Sequence, residues 1–255
     1  MCDVCAANRH LLTKASPPEE RAEERFIEAF IDVLQEWHDD ILAALGTEQL
    51  PLARDRALRR ALGRIFETHR ESFRASYEAF YEDAAAAGRA TAIQRHDLDV
   101  SDELRDALVR RLQRQARDAA DAVGERMTDD VTEAIRDAFD DGLGAPAIED
   151  ALKNDVFPMM RGYEAERAAR TGGTTASNRG ALSSISDAGA PGKTWLATDG
   201  PRTRESHEDA DNQTVPIGGT FTTGAGNSAR YPGDPSLPLS DRMQCRCGLA
   251  PAWTL

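Results

Sequence analysis

The chain has 255 residues, 44 Asp+Glu against 31 Lys+Arg, a formal charge of −13 and 6% aromatics. At roughly 150 residues per domain, this length carries one or two domains with a real core. No apolar run approaches the ~20 residues that span a bilayer, four cysteines are too few for a disulfide scaffold, and the bulk acidity argues against general coating of nucleic acid, which rests on neutralising phosphates.

The residues from 1 to 16 form an N-terminal arm in which Met1-Cys2-Asp3-Val4-Cys5 lacks the basic flank and apolar stretch of a secretory signal, so assembly inside the cell is expected. Residues 17–170 read as helices. Pro17 and Pro18 precede an acidic first turn, and Phe26, Phe30, Leu34, Trp37, Ile41 and Leu45 recur at helical spacing until Gly46. A second helix is predicted from about Leu52 to Ala87, carrying Leu58, Leu62, Ile65, Phe73, Tyr77 and Phe80, with Gly88 as its stop. A third is predicted to open at Ser101, an N-cap followed by Asp102 and Glu103, and to bury Leu104, Leu108, Leu112 and Val123. Shorter helices are predicted from Glu125 to Asp140, Pro146 to Asn154 and Pro158 to Arg170, each with one apolar stripe that must pack on something.

Beyond Arg170 the periodicity fails. Residues 171–255 hold 12 of the 19 glycines and 7 of the 12 prolines, with 7 basic against 8 acidic residues, so that the remaining 170 residues carry −12 of the charge. The polar stretch Thr171-Gly172-Gly173-Thr174-Thr175 reads as flexible, and Ala181–Ile185 as a short helix. Thr194–Ala197, Thr214–Ile217 and Thr220–Thr222 read as extended pieces between turns such as Tyr231-Pro232-Gly233-Asp234-Pro235. The expected fold class is therefore α+β: a long helical region followed by a small loop-rich domain, held by something other than a large core.

His207 is the one histidine after residue 96, and Cys245 and Cys247 are the thiols of this domain. One imidazole and two thiolates are three of the four ligands of a structural zinc site, and zinc would supply the folding energy that such a module lacks. The fourth ligand is open among Asp199, Asp209, Asp211, Cys2 and Cys5. A bland alternative fits the same spacing: Cys-x-Cys suits two small buried groups, and His207 can simply bond a carboxylate.

The order Trp195, Asp199, Arg204-x-x-His207, Asp211, Val215, Phe221, the turn Pro232–Pro235 and Cys245-Arg246-Cys247 resembles the C-terminal domain of the phage Mu F-like family, minor head proteins of tailed viruses. The resemblance covers roughly residues 142–250, reaching upstream through Gly144-Ala145-Pro146, Ala169-Arg170-Thr171 and Asn178-Arg179-Gly180. It departs at Gly172, where family members commonly carry Glu, and at Asn212, which stands where an Asp-Gly turn is usual and is the non-glycine residue that best tolerates the left-handed backbone, so the turn can survive. The resemblance implies a non-enzymatic structural protein of the virion, few in copies, at the portal vertex or inner capsid surface, with the portal protein and major capsid protein as partners and no membrane association. It implies a role in head morphogenesis, genome packaging or delivery. On this reading Arg204 and Asp199 form a buried ion pair that orients the His207 loop, with Trp195 and Phe221 packed beneath it.

Three lysines, Lys14, Lys153 and Lys193, stand against 28 arginines. With the acidity, this resembles proteins of salt-loving microbes and points to a halophilic host, although a GC-rich genome would also favour Arg. Residues 54–74 and 105–117 each sum to +4 and are the local faces where packaged DNA or an acidic neighbour would dock, although charged helix faces are more often solvated or paired. No nucleotide loop, nucleophile elbow or His-Glu-x-x-His is present. The alternative function is a zinc-dependent enzyme in which Arg204, His207 and Asp211 line a cleft beside Cys245 and Cys247.

Overall fold

A computed structural model describes residues 16–198 and 203–255. The helices α1 (Pro17–Gly46), α2 (Asp55–His96) and α3 (Asp106–Asp140) come first. A helical run from residue 145 to 187 follows, built from α4 (Ala145–Ala151), α5 (Phe157–Met159) and α6 (Ala165–Asp187), with wider π-helical turns at Leu152–Val156 and Met160–Glu164. Then come β1 (Gly192–Leu196), α7 (Glu205–Glu208), β2 (Thr214–Pro216), β3 (Phe221–Thr222), β4 (Ser228–Ala229), α8 (Leu239–Arg242) and β5 (Gly248–Ala252). The helical region and smaller mixed region are thus present in the expected order. No helix among the described residues is long and apolar enough to cross a membrane.

The chain divides into two compact units. One gathers residues 26–78 and 116–168, the other the described parts of 1–25, 79–115 and 169–255. The first has an aromatic core. Phe30 meets Phe73 and Tyr77 edge-on at 5.4 and 5.5 Å, and Trp37 meets Phe73 at 6.1 Å. Such edge-to-face pairs add about 0.5–1.5 kcal/mol each beyond the burial of their area. His38 stacks flat on Phe157 at 3.7 Å in this core, with neither ring nitrogen hydrogen-bonded.

The second unit contains two small sheets. In the first, β1 lies between β2 and β5, antiparallel to both, with Lys193 opposite Val215 and Pro251. The second pairs β3 with β4. Their core joins Trp195, Phe221, Tyr231, Leu237 and Leu249 to Leu98, Leu182 and Ile185. The apolar content missing from the loop-rich segment is therefore supplied in part by α6 and by the turn after α2.

Several boundaries differ from the sequence expectation for identifiable reasons. Gly88 does not stop α2. A Cβ there would lie 2.2 Å from the Ser177 carbonyl oxygen, and one at Gly180 would lie 1.9 Å from that of Ala85, so these glycines allow α2 and α6 to touch backbone to backbone. Residues 171–175 are helical within α6, since Gly172 and Gly173 are buried against Phe80 and Glu23. Ser101 does not cap α3: its carbonyl accepts Arg89 Nε at 3.0 Å and Nη2 at 2.6 Å, and the helix begins at Asp106. The helices drawn separately on either side of residue 125 are one. The stretch between Asn154 and Pro158 also remains helical, because the wider π turns accommodate a proline that has no N–H to donate.

Candidate metal centre

The ligand candidates arrive from two separate pieces of the second unit. His207 sits in the single turn α7, whose N-cap Arg204 is extended at φ −72°, ψ 140°. The Arg204 guanidinium donates to the Met243 carbonyl, in the segment leading to Cys245. Cys245 and Cys247 follow Gln244, whose φ of 54° turns the chain out of α8 toward β5. Two residues of α6 hold this strap by its backbone: Thr174 Oγ1 donates to the Cys245 carbonyl, and Asn178 Nδ2 to that of Cys247 at 2.8 Å.

The result is a tight cluster. His207 Nδ1 lies 3.5 Å from Cys245 Sγ and 3.4 Å from Cys247 Sγ, and the three donor atoms fall within 4.8 Å of one another. Zn–N of about 2.05 Å and Zn–S of about 2.3 Å at tetrahedral angles require an N···S edge of about 3.6 Å. The donor set therefore fits zinc in both softness and spacing. All three residues are buried, at 1%, 3% and 4% exposure, so His207 faces the thiols and not a substrate cleft.

The charges are arranged to match. Hydrogen bonding from Cys245 lowers the Cys247 pKa well below its usual value despite burial, and His207 adds to the effect. The same bond, with burial, raises Cys245. Burial pulls the His207 pKa down, but bonding to Cys247 and the negative charge of Cys247 and Asp241 outweigh it and raise it. One thiolate is thus already favoured at this position, which is the state a metal requires.

Asp241 was not singled out in the sequence. It is 5% exposed, and its Oδ1 lies 3.3 Å from His207 Nε2, within ion-pair reach though not aligned as a hydrogen bond. Ser206 Oγ donates to it at 2.9 Å, Thr223 Oγ1 at 3.1 Å and Asn227 Nδ2 at 3.2 Å. A carboxylate behind the distal nitrogen of a ligating histidine fixes its tautomer and orientation. The one retrospective signal is an isolated Asp four residues before Cys245.

The remaining predicted residues fall as follows. Trp195 is edge-on to His207 at 5.4 Å and to Phe221 at 5.5 Å. Asp211 lies outside the His/Cys/Cys group: its carboxylate accepts the Ala197 N–H at 2.8 Å and Asn212 Nδ2 at 2.7 Å. Asp209 is exposed and is likewise outside that group. Asn212 takes the left-handed backbone at φ 61°. Gly233 does so at φ 79°, and its carbonyl accepts Thr175 Oγ1 at 2.8 Å, docking the proline-rich turn on α6. Asp199, Cys2 and Cys5, and with Asp199 the expected partner of Arg204, lie outside the described residues.

Fold and site together define an α+β unit with a buried His/Cys/Cys cluster able to hold a metal ion. Residues 129–250, a little under half of the chain, match the family described as Phage Mu protein F like protein. The matched segment contains His207, Cys245, Cys247 and Asp241. No curated protein and no solved structure matches the chain.

Proposed function

We propose that the chain is a structural head-morphogenesis protein of a tailed virus, and that zinc on His207, Cys245 and Cys247 fastens its C-terminal region. The observation that carries this reading is the family match over residues 129–250, which encloses the buried donor set. Bound zinc would contribute folding energy to the loops that meet there, while this chain's own residues hold the donors: Asp241 orients His207, and Thr174 and Asn178 fix the cysteine strap. The finer expectation, from the family likeness, is a position at the portal vertex or inner capsid surface, with portal and major capsid proteins as neighbours. A catalytic zinc would need a ligand position open to substrate, and burial of all three donors favours the structural role.

Two measurements test this reading. Particles of the virus that encodes the chain, and their assembly intermediates, are analysed by quantitative mass spectrometry, with a portal pull-down alongside; the chain is expected in both, and absence from all three refutes the head-assembly role. Elemental analysis of the full chain purified without added metal is expected to give about one zinc, lost in Cys245→Ser. A folded chain without zinc removes the metal.

A further inference from the structure

Three arginines from separate elements meet at one pocket of the second unit: Arg111 on α3, Arg179 on α6 and Arg230 just after β4. Arg105, Ser183 and Ser186 line it too. Its one carboxylate, Asp187, is already engaged by Arg89 at 2.9 Å and by Arg105. Among the described residues, no ion pair joins Arg111, Arg179 or Arg230 to a carboxylate. Arg179 is instead held 5.6 Å over the Tyr231 ring, with Arg111 and Arg230 close enough to repel it. Lys193 lies near Arg179 and Arg230, fully buried, with no hydrogen-bond partner for its Nζ. The neighbouring Asp234 is occupied by the backbone N–H groups of Arg230 and Ser236 at 2.9 and 3.0 Å.

In a chain with 13 more acidic than basic residues, carboxylates are plentiful, yet none among the described residues forms an ion pair with Arg111, Arg179 or Arg230, and the nearby Asp234 offsets only part of the repulsion that Arg179 feels from the other two. Arg111 and Arg230 are exposed and Arg179 half-buried, so the three concentrate positive potential at a surface that an anion can reach. A carboxylate is planar and is satisfied by one guanidinium fork, whereas a phosphoryl group offers oxygens in several directions and suits forks and hydroxyls converging from three sides. The depression is open to solvent and has a volume of about 270 Å³, against the ~10–15 Å³ that one water needs on the same measure, and it admits such a group. The arginines of residues 54–74 differ: they lie along one helical segment, and Arg59, Arg70 and Arg74 are tied to Asp129, Glu67, Glu71 and Asp121.

We propose that the pocket between Arg111, Arg179 and Arg230 binds a phosphate group, either of a nucleic-acid backbone or of a free phosphorylated compound. The site stands apart from the head-assembly reading, and loss of either leaves the other intact. The test uses the full chain, a short fluorescein-labelled DNA duplex followed by anisotropy, and inorganic phosphate. Arg111→Gln/Arg230→Gln is expected to weaken duplex binding about tenfold or more at fixed salt and to reduce the log–log salt slope by about 2, one for each phosphate contact removed. Arg60→Gln/Arg64→Gln, which removes two exposed arginines of α2, is expected to change it less than about threefold. Displacement of the duplex by millimolar phosphate identifies a site for an isolated phosphoryl group; binding that phosphate does not displace identifies the backbone of the polymer. The proposal is overturned if neither probe binds, if both double variants lose affinity equally, or if polyglutamate binds in preference to both.

Discussion

Replacing Asp241 by Asn keeps the shape of the side chain and removes its charge. Three side-chain donors and the His207 imidazole surround that carboxylate. Bonds to an ionised group contribute about 1.5–3 kcal/mol, against about 0.5–1.5 for neutral pairs. The amide also turns an N–H₂ toward one of the former donors. The metal-free chain is therefore expected to lose about 2–3 kcal/mol, and zinc affinity to fall about 10–100-fold, the usual effect of removing the group behind a ligating histidine. Competition with a chromophoric zinc chelator reads the affinity, and thermal unfolding with and without chelator reads the stability. Should Asp241→Asn fail to fold, Ser206→Ala removes only the 2.9 Å bond and is expected to weaken zinc by less than about tenfold. Zinc binding within twofold of wild type in a folded Asp241→Asn chain would refute the assignment of Asp241 as the histidine's support.

Two further substitutions probe the packing. Gly180→Ala drives a methyl to within 1.9 Å of the Ala85 carbonyl oxygen and is expected to cost about 3 kcal/mol or more, lowering Tm by several degrees. Gly63→Ala on α2, where an added Cβ meets nothing, is expected to stabilise by about 0.5–1 kcal/mol; equal effects in calorimetry would contradict the close helix contact. Burial, with Arg161 adding, lowers the His38 pKa from 6.5 to about 3. The unfolded chain therefore binds this proton first, and stability present above pH 6.5 is lost as pH falls toward 3. His38→Phe is expected to unfold at higher Tm at pH 7, and its advantage over wild type to grow by up to about 1.4 kcal/mol per pH unit below 6.5. A gap that does not change with pH would show that His38 is not held neutral.

The sequence expressed most clearly what apolar side chains decide. Phe26, Phe30, Leu34, Trp37, Ile41 and Leu45, read as one stripe, are all buried, and the three extended pieces fall on β1, β2 and β3. His207, Cys245 and Cys247 stood out by rarity and meet in space. Contacts made by backbone did not show. Gly88, Gly172, Gly173 and Gly180 pack by having no side chain, so α6 shows no apolar stripe over residues 171–175 in its middle and resembles a flexible linker there. Asp241 was equally silent, because its role depends on Ser206, Thr223 and Asn227 arriving from other loops. Among charged residues, sequence shows where arginines are dense, but only the fold separates those tied to carboxylates from those that converge.

The second unit draws on residues 16–25, 79–115 and 169–255, and this has a consequence for biosynthesis. A ribosome delivers the glycine-bared surface of α2 at Gly88 well before α6 exists to cover it. The unit cannot close until residues 169–255 have emerged, so its folding is a late, long-range event that must draw distant segments together. Until then, the exposed early segments invite association with other chains. A zinc-binding strap at Cys245 and Cys247 would act as a latch that can close only after all three of these segments have been made.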